Sequence, residues 1–177
     1  MLSARAGNGH ETEVVVQGVR DQCSGGRLVI VCGLPGSGKT TLAKTLAAER
    51  PAIRFGPDEW MDALGVNLWD TDVRARVEAL QWSVAKDLMA LGGSVVIEWG
   101  TWGRGEREAL RAEAVALGAA TELVYLNVDD DELWRRIQGR GLEDPPVKRV
   151  QLGAWRELFE APDSEELARY DASSTPT

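Results

Sequence analysis

The chain has 177 residues, 44% of them hydrophobic and 27% charged, with a net charge of −8. One domain around a single core is expected at that length, and the acidic balance speaks against a nucleic-acid binder, whose footprint is usually basic. No apolar stretch approaches the roughly 20 residues of a membrane span and no signal-peptide apolar region opens the chain, so a cytoplasmic location without membrane attachment is the expectation.

Residues 1–26 read as a flexible leader, small and polar at first, with a short strand at residues 12–19 (TEVVVQGV). The one histidine, His10, falls in this leader, so acid–base chemistry in the domain must come from carboxylates, lysines or tyrosines. The domain proper is expected over residues 27–172. Leu28 to Cys32 is apolar on both faces, as a central parallel strand covered by helices would be. Cys32 reads as a buried thiol, and neither it nor Cys23 has metal-ligand spacing. A glycine-rich loop leads to a helix from Lys39 to Arg50, stopped by Pro51. Ala52 to Phe55 is a second strand, and Asp58 is a plausible N-cap for the helix that follows. The longest helix is expected over residues 71–91, with Val73, Val77, Leu80, Val84, Leu88 and Leu91 forming its apolar stripe and Arg74, Glu78 and Gln81 the opposite side. Residues 94–99 (SVVIEW) give a third strand, 105–117 a helix, 122–128 a fourth strand, and 130–140 a helix capped by Asp129 or Asp130. Gly139, Gly141, Pro145 and Pro146 break up a segment expected to act as a small lid at about 138–150. Two short helices near 147–159 and 164–170 follow, and residues 173–177 read as a frayed tail. Alternating strands and helices imply an α/β fold, a parallel sheet with helices on both faces.

The sharpest motif is Gly33-Leu34-Pro35-Gly36-Ser37-Gly38-Lys39-Thr40, which fits G-x-x-x-x-G-K-[ST]. Its glycines let the backbone wrap a phosphate where a Cβ would forbid it, successive N–H groups form an anion nest, and the next helix offers its positive end. Lys39 carries charge toward the β and γ phosphates, the Thr40 hydroxyl can ligate magnesium, and Thr41 can reach the α-phosphate. No N-K-x-D guanine-reading motif is present.

A small kinase needs three further parts. Asp58, beyond the second strand at the carboxyl edge of the sheet where ligands bind, is placed to take the proton of an acceptor hydroxyl. Glu98, ending the third strand, stands where a magnesium-directed acid would stand and is also a candidate acceptor contact. Arg136 and Arg140 share a helix face, and a closing arginine would neutralise the transferring phosphoryl group; Arg140 would also touch the nucleotide. Trp60, Gln81, Trp102 and Arg104 are candidates to line the acceptor pocket, with packing or solvation as the competing explanation for each.

The run GLPGSGKTTLA at 33–43, FGPDEWMDALG at 55–65, VVIEWGTWGRGERE at 95–108 and ELWRRIQGR at 132–140 resembles the P-loop kinase-like group of AAA-family ATP-binding proteins, which includes chloramphenicol phosphotransferase, the zeta toxins, gluconate kinase and the kinase part of polynucleotide kinase. The resemblance covers residues 28–171. It implies the three-layer P-loop NTPase fold with about five strands in the order 2-3-1-4-5, a weak fifth strand near 167–172, ATP over GTP, and Asp58 as the acceptor-binding acid. The acid after the third strand is usually Asp in that group, whereas here it is Glu98, and Gly141 after Arg140 makes the lid match looser. The expected activity is ATP- and Mg²⁺-dependent transfer of the γ-phosphate to a hydroxyl of a small molecule such as a metabolite, sugar or antibiotic. The alternatives are a nucleotide-binding regulator or slow ATPase without an acceptor, and a nucleic-acid 5′-hydroxyl kinase.

Overall fold

The computed structural model describes residues 25–140 and 145–176. The expected leader strand and Gly141 therefore lie outside the described residues, as does Cys23. The elements run β1 (Arg27–Cys32), α1 (Lys39–Glu49), β2 (Ala52–Phe55), α2 (Pro57–Ala63), α3 (Thr71–Ala90), β3 (Ser94–Ile97), α4 (Arg104–Ala116), β4 (Ala120–Tyr125), α5 (Asp130–Arg140), α6 (Arg149–Leu158), α7 (Ser164–Leu167) and β5 (Ala172–Ser174). The five strands form one sheet in the order β2-β3-β1-β4-β5, parallel throughout. No helix among the described residues is long and apolar enough to cross a membrane.

Strand alternation divides the core. Leu28, Ile30 and Cys32 of β1 face one side with Val95, Ile97, Leu123 and Tyr125, where α3 and α4 supply Trp82, Ala85, Met89 and Ala114. Val29 and Val31 face the other side with Val96 and Val124, under Ala43 and Leu46 of α1. β1 is thus buried on both faces, as its unbroken apolar run requires. Burial also raises the Cys32 thiol to about 12, so it stays protonated.

Four local expectations are corrected. The N-cap of α2 is Gly56, with Pro57 opening the helix, where its missing N–H costs nothing; Asp58 sits in the first turn, where the helix dipole favours a carboxylate. In α3 the buried face is Val77, Gln81, Trp82, Ala85 and Met89, while Leu80, Val84 and Leu91 of the expected stripe are exposed. Gln81 lies in the core because both ends of its amide are satisfied there: Nε2 donates to the Gly56 carbonyl at 3.2 Å and Oε1 accepts from Trp99 Nε1 at 2.8 Å. The last strand comes at Ala172–Ser174 and pairs with Glu122–Val124, so the sheet takes in residues expected to be frayed. β4 also begins two residues early, because the turn at Gly118 (φ +75°) delivers Ala120 N to the Gly26 carbonyl at 2.7 Å.

The C-terminal segment is tied to the sheet edge by a buried ion pair. Arg107 of α4 has no exposed surface. Its Nε and Nη2 donate to both carboxylate oxygens of Glu166 at 2.6 and 2.8 Å. Nη1 and Nη2 also donate to the carbonyls of Thr101 (3.0 Å) and Glu160 (2.8 Å). One guanidinium thereby fixes the loop after β3 against α7.

Candidate active site

The loop between β1 and α1 holds every feature a phosphate cradle needs. Gly33, Gly36 and Gly38 all have positive φ. At Gly36 (φ +83°) a Cβ would also come within 2.9 Å of Ile137 Cγ1 and 3.1 Å of the Leu133 carbonyl, so the loop packs against α5 with no room for a side chain. Gly38 caps α1 without any side-chain hydrogen bond, which leaves the first N–H groups of the helix free of a side-chain cap. Leu34 is buried and Pro35 half-buried, closing the loop's base, while Thr40 and Thr41 are exposed on the first turn of α1. The Ser37 hydroxyl is buried and has no partner.

Lys39 Nζ folds back over this cradle, donating to the carbonyls of Gly33 (2.9 Å) and Leu34 (3.1 Å). Burial lowers its pKa from 10.5 to about 8, against the opposing pull of the Glu98 and Asp58 carboxylates; Arg140 pushes it further down. The sign for stability follows from linkage. The unfolded lysine binds more protons than the folded one between about pH 8 and 10.5, so stability gains from Lys39 as pH rises through that window. For ligand binding the sign reverses, because a triphosphate favours the charged ammonium. Nucleotide affinity is expected to fall above about pH 8, with proton uptake on binding that shows as a buffer-dependent calorimetric enthalpy. A Kd unchanged between pH 7 and 9.5 would contradict this.

A cavity of about 460 Å³ borders the loop, lined by Ser37, Gly38, Thr41, Leu126, Arg136 and Pro176 among others. Arg136 Nη1 donates to the Ser37 carbonyl at 3.1 Å and its Nε to Glu132 at 2.5 Å. The structure therefore brings Arg136 to the P-loop, on the wall of this cavity. Arg140, one turn on, is exposed and acts on Lys39 through its field.

Two carboxylates, Asp58 and Glu98, act on Lys39 through their field. Asp58 is two-thirds exposed, and its Oδ1 meets Arg74 Nη2 at 2.5 Å. Glu98, just past β3 and almost fully buried, is paired with Arg54, which also holds Glu59. A Cβ at Gly56 would come within 2.7 Å of both Arg54 Nη1 and Glu98 Oε1, so a larger residue there would push this ion pair aside. The adjacent backbone is braced through Gln81, so that residue positions the site from within the core.

Other candidates fall elsewhere. Trp102 packs edge-on against Trp155 and Phe159, in line with the packing explanation offered for it. Arg104 gives its guanidinium to Asp163 (3.2 Å) and Glu165 (3.1 Å), which leaves it serving the C-terminal segment. Trp60 is half-buried against Phe55. Sequence reasoning missed Arg54 and Arg74 as partners of the two acids. The only hint for Arg74 was its i,i+4 spacing to Glu78, and a four-residue strand gave none for Arg54.

The profile of the AAA domain family AAA_33 matches residues 28–162. The chain belongs to this family. It is also 28% identical to the adenylate kinase isoenzyme 6 homolog of Schizosaccharomyces pombe, over 64% of this chain and 60% of that protein, so it spans about three-fifths of the length of that curated relative. Among solved structures it is similar to a sugar kinase from Janibacter (21% identity, TM-score 0.60, 85% and 84% of the two chains). It is similar also to the APS kinase CysC of Mycobacterium tuberculosis, solved with AMPPNP and APS (20% identity, TM-score 0.57, 86% and 89%). The fold is that of the P-loop kinases.

Proposed function

We propose that this chain transfers the γ-phosphate of ATP to a hydroxyl group of a small molecule. The observation that carries the reading is a shared edge: β2, β3 and β1 are parallel neighbours, so Asp58, Glu98 and the P-loop all follow the carboxyl ends of their strands, with Lys39 in the field of both acids. The triphosphate would take the place of the Gly33 and Leu34 carbonyls at Lys39 Nζ, with the base in the cavity beside Arg136 and Pro176. Asp58 would accept the proton of the acceptor hydroxyl as its oxygen bonds to the γ-phosphorus and the bond to the bridging oxygen breaks, releasing ADP. The exposed Thr40 hydroxyl fits a magnesium ion, which would shield the phosphate charge. Glu98 would serve that ion only after loosening its pair with Arg54.

The curated relative's name brings in a second reading, in which a nucleoside monophosphate accepts the phosphate. One experiment separates them: ATP consumption and product mass measured across hydroxyl-bearing metabolites, sugars and antibiotics, with AMP as one arm and Lys39→Ala as the blank. Acceptor-dependent turnover with a phosphomonoester product is expected. Turnover with AMP alone, or hydrolysis indifferent to every acceptor, sinks the hydroxyl reading.

A further inference from the structure

A second cavity of about 260 Å³ opens between α3 and α4, under the loop that follows β3. Its walls carry two indole rings, Trp82 and Trp99, set edge to face at 6.0 Å. Its charged lining is acidic only: Glu78, Glu106 and Glu113. Thr101 also lines it, is 5% exposed, and holds a buried hydroxyl with no hydrogen-bond partner among the described residues.

The three carboxylates are unequally engaged. Glu113 is neutralised by Lys86 at 2.9 Å and accepts from Trp82 Nε1 at 3.0 Å. Glu106 accepts the Gly103 N–H at 3.1 Å. Glu78 has only Arg74 at 3.9 Å, and that arginine is committed to Asp58 at 2.5 Å. Burial raises the Glu78 pKa; Arg74 pulls it down, and the Glu106 and Asp58 carboxylates push it up. Outside that lining, Lys86 Nζ lies 5.9 Å from the Trp82 ring centre, and an indole face suits positive charge. Asp58 meets one terminal nitrogen of the Arg74 guanidinium and Glu78 lies 3.9 Å from the other, so a hydroxyl at the first and a charge at the second are one short molecule apart.

We infer that the acceptor is a cationic hydroxyl compound, an amino alcohol or amino sugar whose ammonium lies between Glu78 and Glu106 against the Trp82–Trp99 wall while its hydroxyl faces Asp58. Its hydroxyl end rests on the phosphotransfer reading above; its ammonium end rests on this cavity. A cavity lined by carboxylates focuses negative potential, which draws cations in and repels phosphorylated or carboxylated acceptors, and this sets the site apart from that of a monophosphate kinase. The ammonium is a spectator, so the only bonds made and broken are those at the γ-phosphorus.

The test is calorimetric titration of the full chain, in the presence of AMPPNP, with matched pairs: glucosamine against glucose, and the aminocyclitol streptamine against inositol. The cationic member of each pair is expected to bind at least tenfold more tightly, and Glu78→Gln to erase the difference without changing the circular dichroism spectrum or AMPPNP affinity. Equal binding within the pairs, binding of neither member, or a preference that survives both Glu78→Gln and Glu106→Gln overturns it. ATP turnover measured alongside keeps the two ideas apart. Amine binding without phosphate transfer leaves the cavity inference standing and sinks the kinase reading; transfer confined to neutral hydroxyls does the reverse.

Discussion

Asp58→Asn is expected to slow acceptor phosphorylation by ~10²–10⁴ while leaving nucleotide affinity at pH 7 unchanged. The asparagine keeps the shape and the place in the first turn of α2 but cannot take a proton. Nothing in the core depends on the carboxylate, since Asp58 is two-thirds exposed and its one recorded partner is Arg74. Loss of folding is therefore no rival explanation for a lost rate. Arg74→Met separates the two roles that an acid can play. If Asp58 acts as a base, freeing it from the guanidinium is read in kcat; if it only anchors the hydroxyl, the change appears in KM. Full phosphotransfer by Asp58→Asn with normal nucleotide binding would falsify the assignment.

What the sequence reveals about such a site depends on how local the physics is. The P-loop is legible because its glycines answer to backbone conformation within eight residues, and Gly33, Gly36 and Gly38 all take up the positive φ the motif requires. β1 is legible because burial on both faces leaves no polar residue in the run from Leu28 to Cys32. The strand order was available through the family resemblance, since neither propensity nor periodicity says which strand neighbours which. The buried face of α3 was not legible: counting apolar side chains favoured Leu80 and Val84, yet Gln81 is inside because Gly56 and Trp99, from other elements, complete its hydrogen bonds. The contacts of Arg104 and Trp102 were not legible for a similar reason. Their partners, Asp163, Glu165, Trp155 and Phe159, come from more than fifty residues further along the chain.

The same long-range tie makes Arg107 the position with the largest expected effect on stability. Arg107→Met would leave the Glu166 carboxylate, 2% exposed, without its bidentate partner, and the Thr101 and Glu160 carbonyls without their donor. Breaking a buried pair from one side costs about 3–5 kcal/mol, because the remaining charge stays desolvated. For a chain of this size that lowers Tm by roughly 10 °C. The double substitution Arg107→Met with Glu166→Leu removes both charges together and is expected to recover most of the loss, as replaced buried pairs often do. Additive losses in that cycle, seen as a double variant less stable than either single one, would mean the carbonyl contacts rather than the ion pair dominate. The functional consequence would follow from the same geometry. Thr101 and Trp99 line the α3–α4 cavity at the loop that Arg107 pins. A chemically denatured midpoint and acceptor KM are therefore expected to move together in Arg107→Met, with nucleotide Kd unchanged, since the P-loop is held by β1, α1 and α5 and receives no contact from this pair.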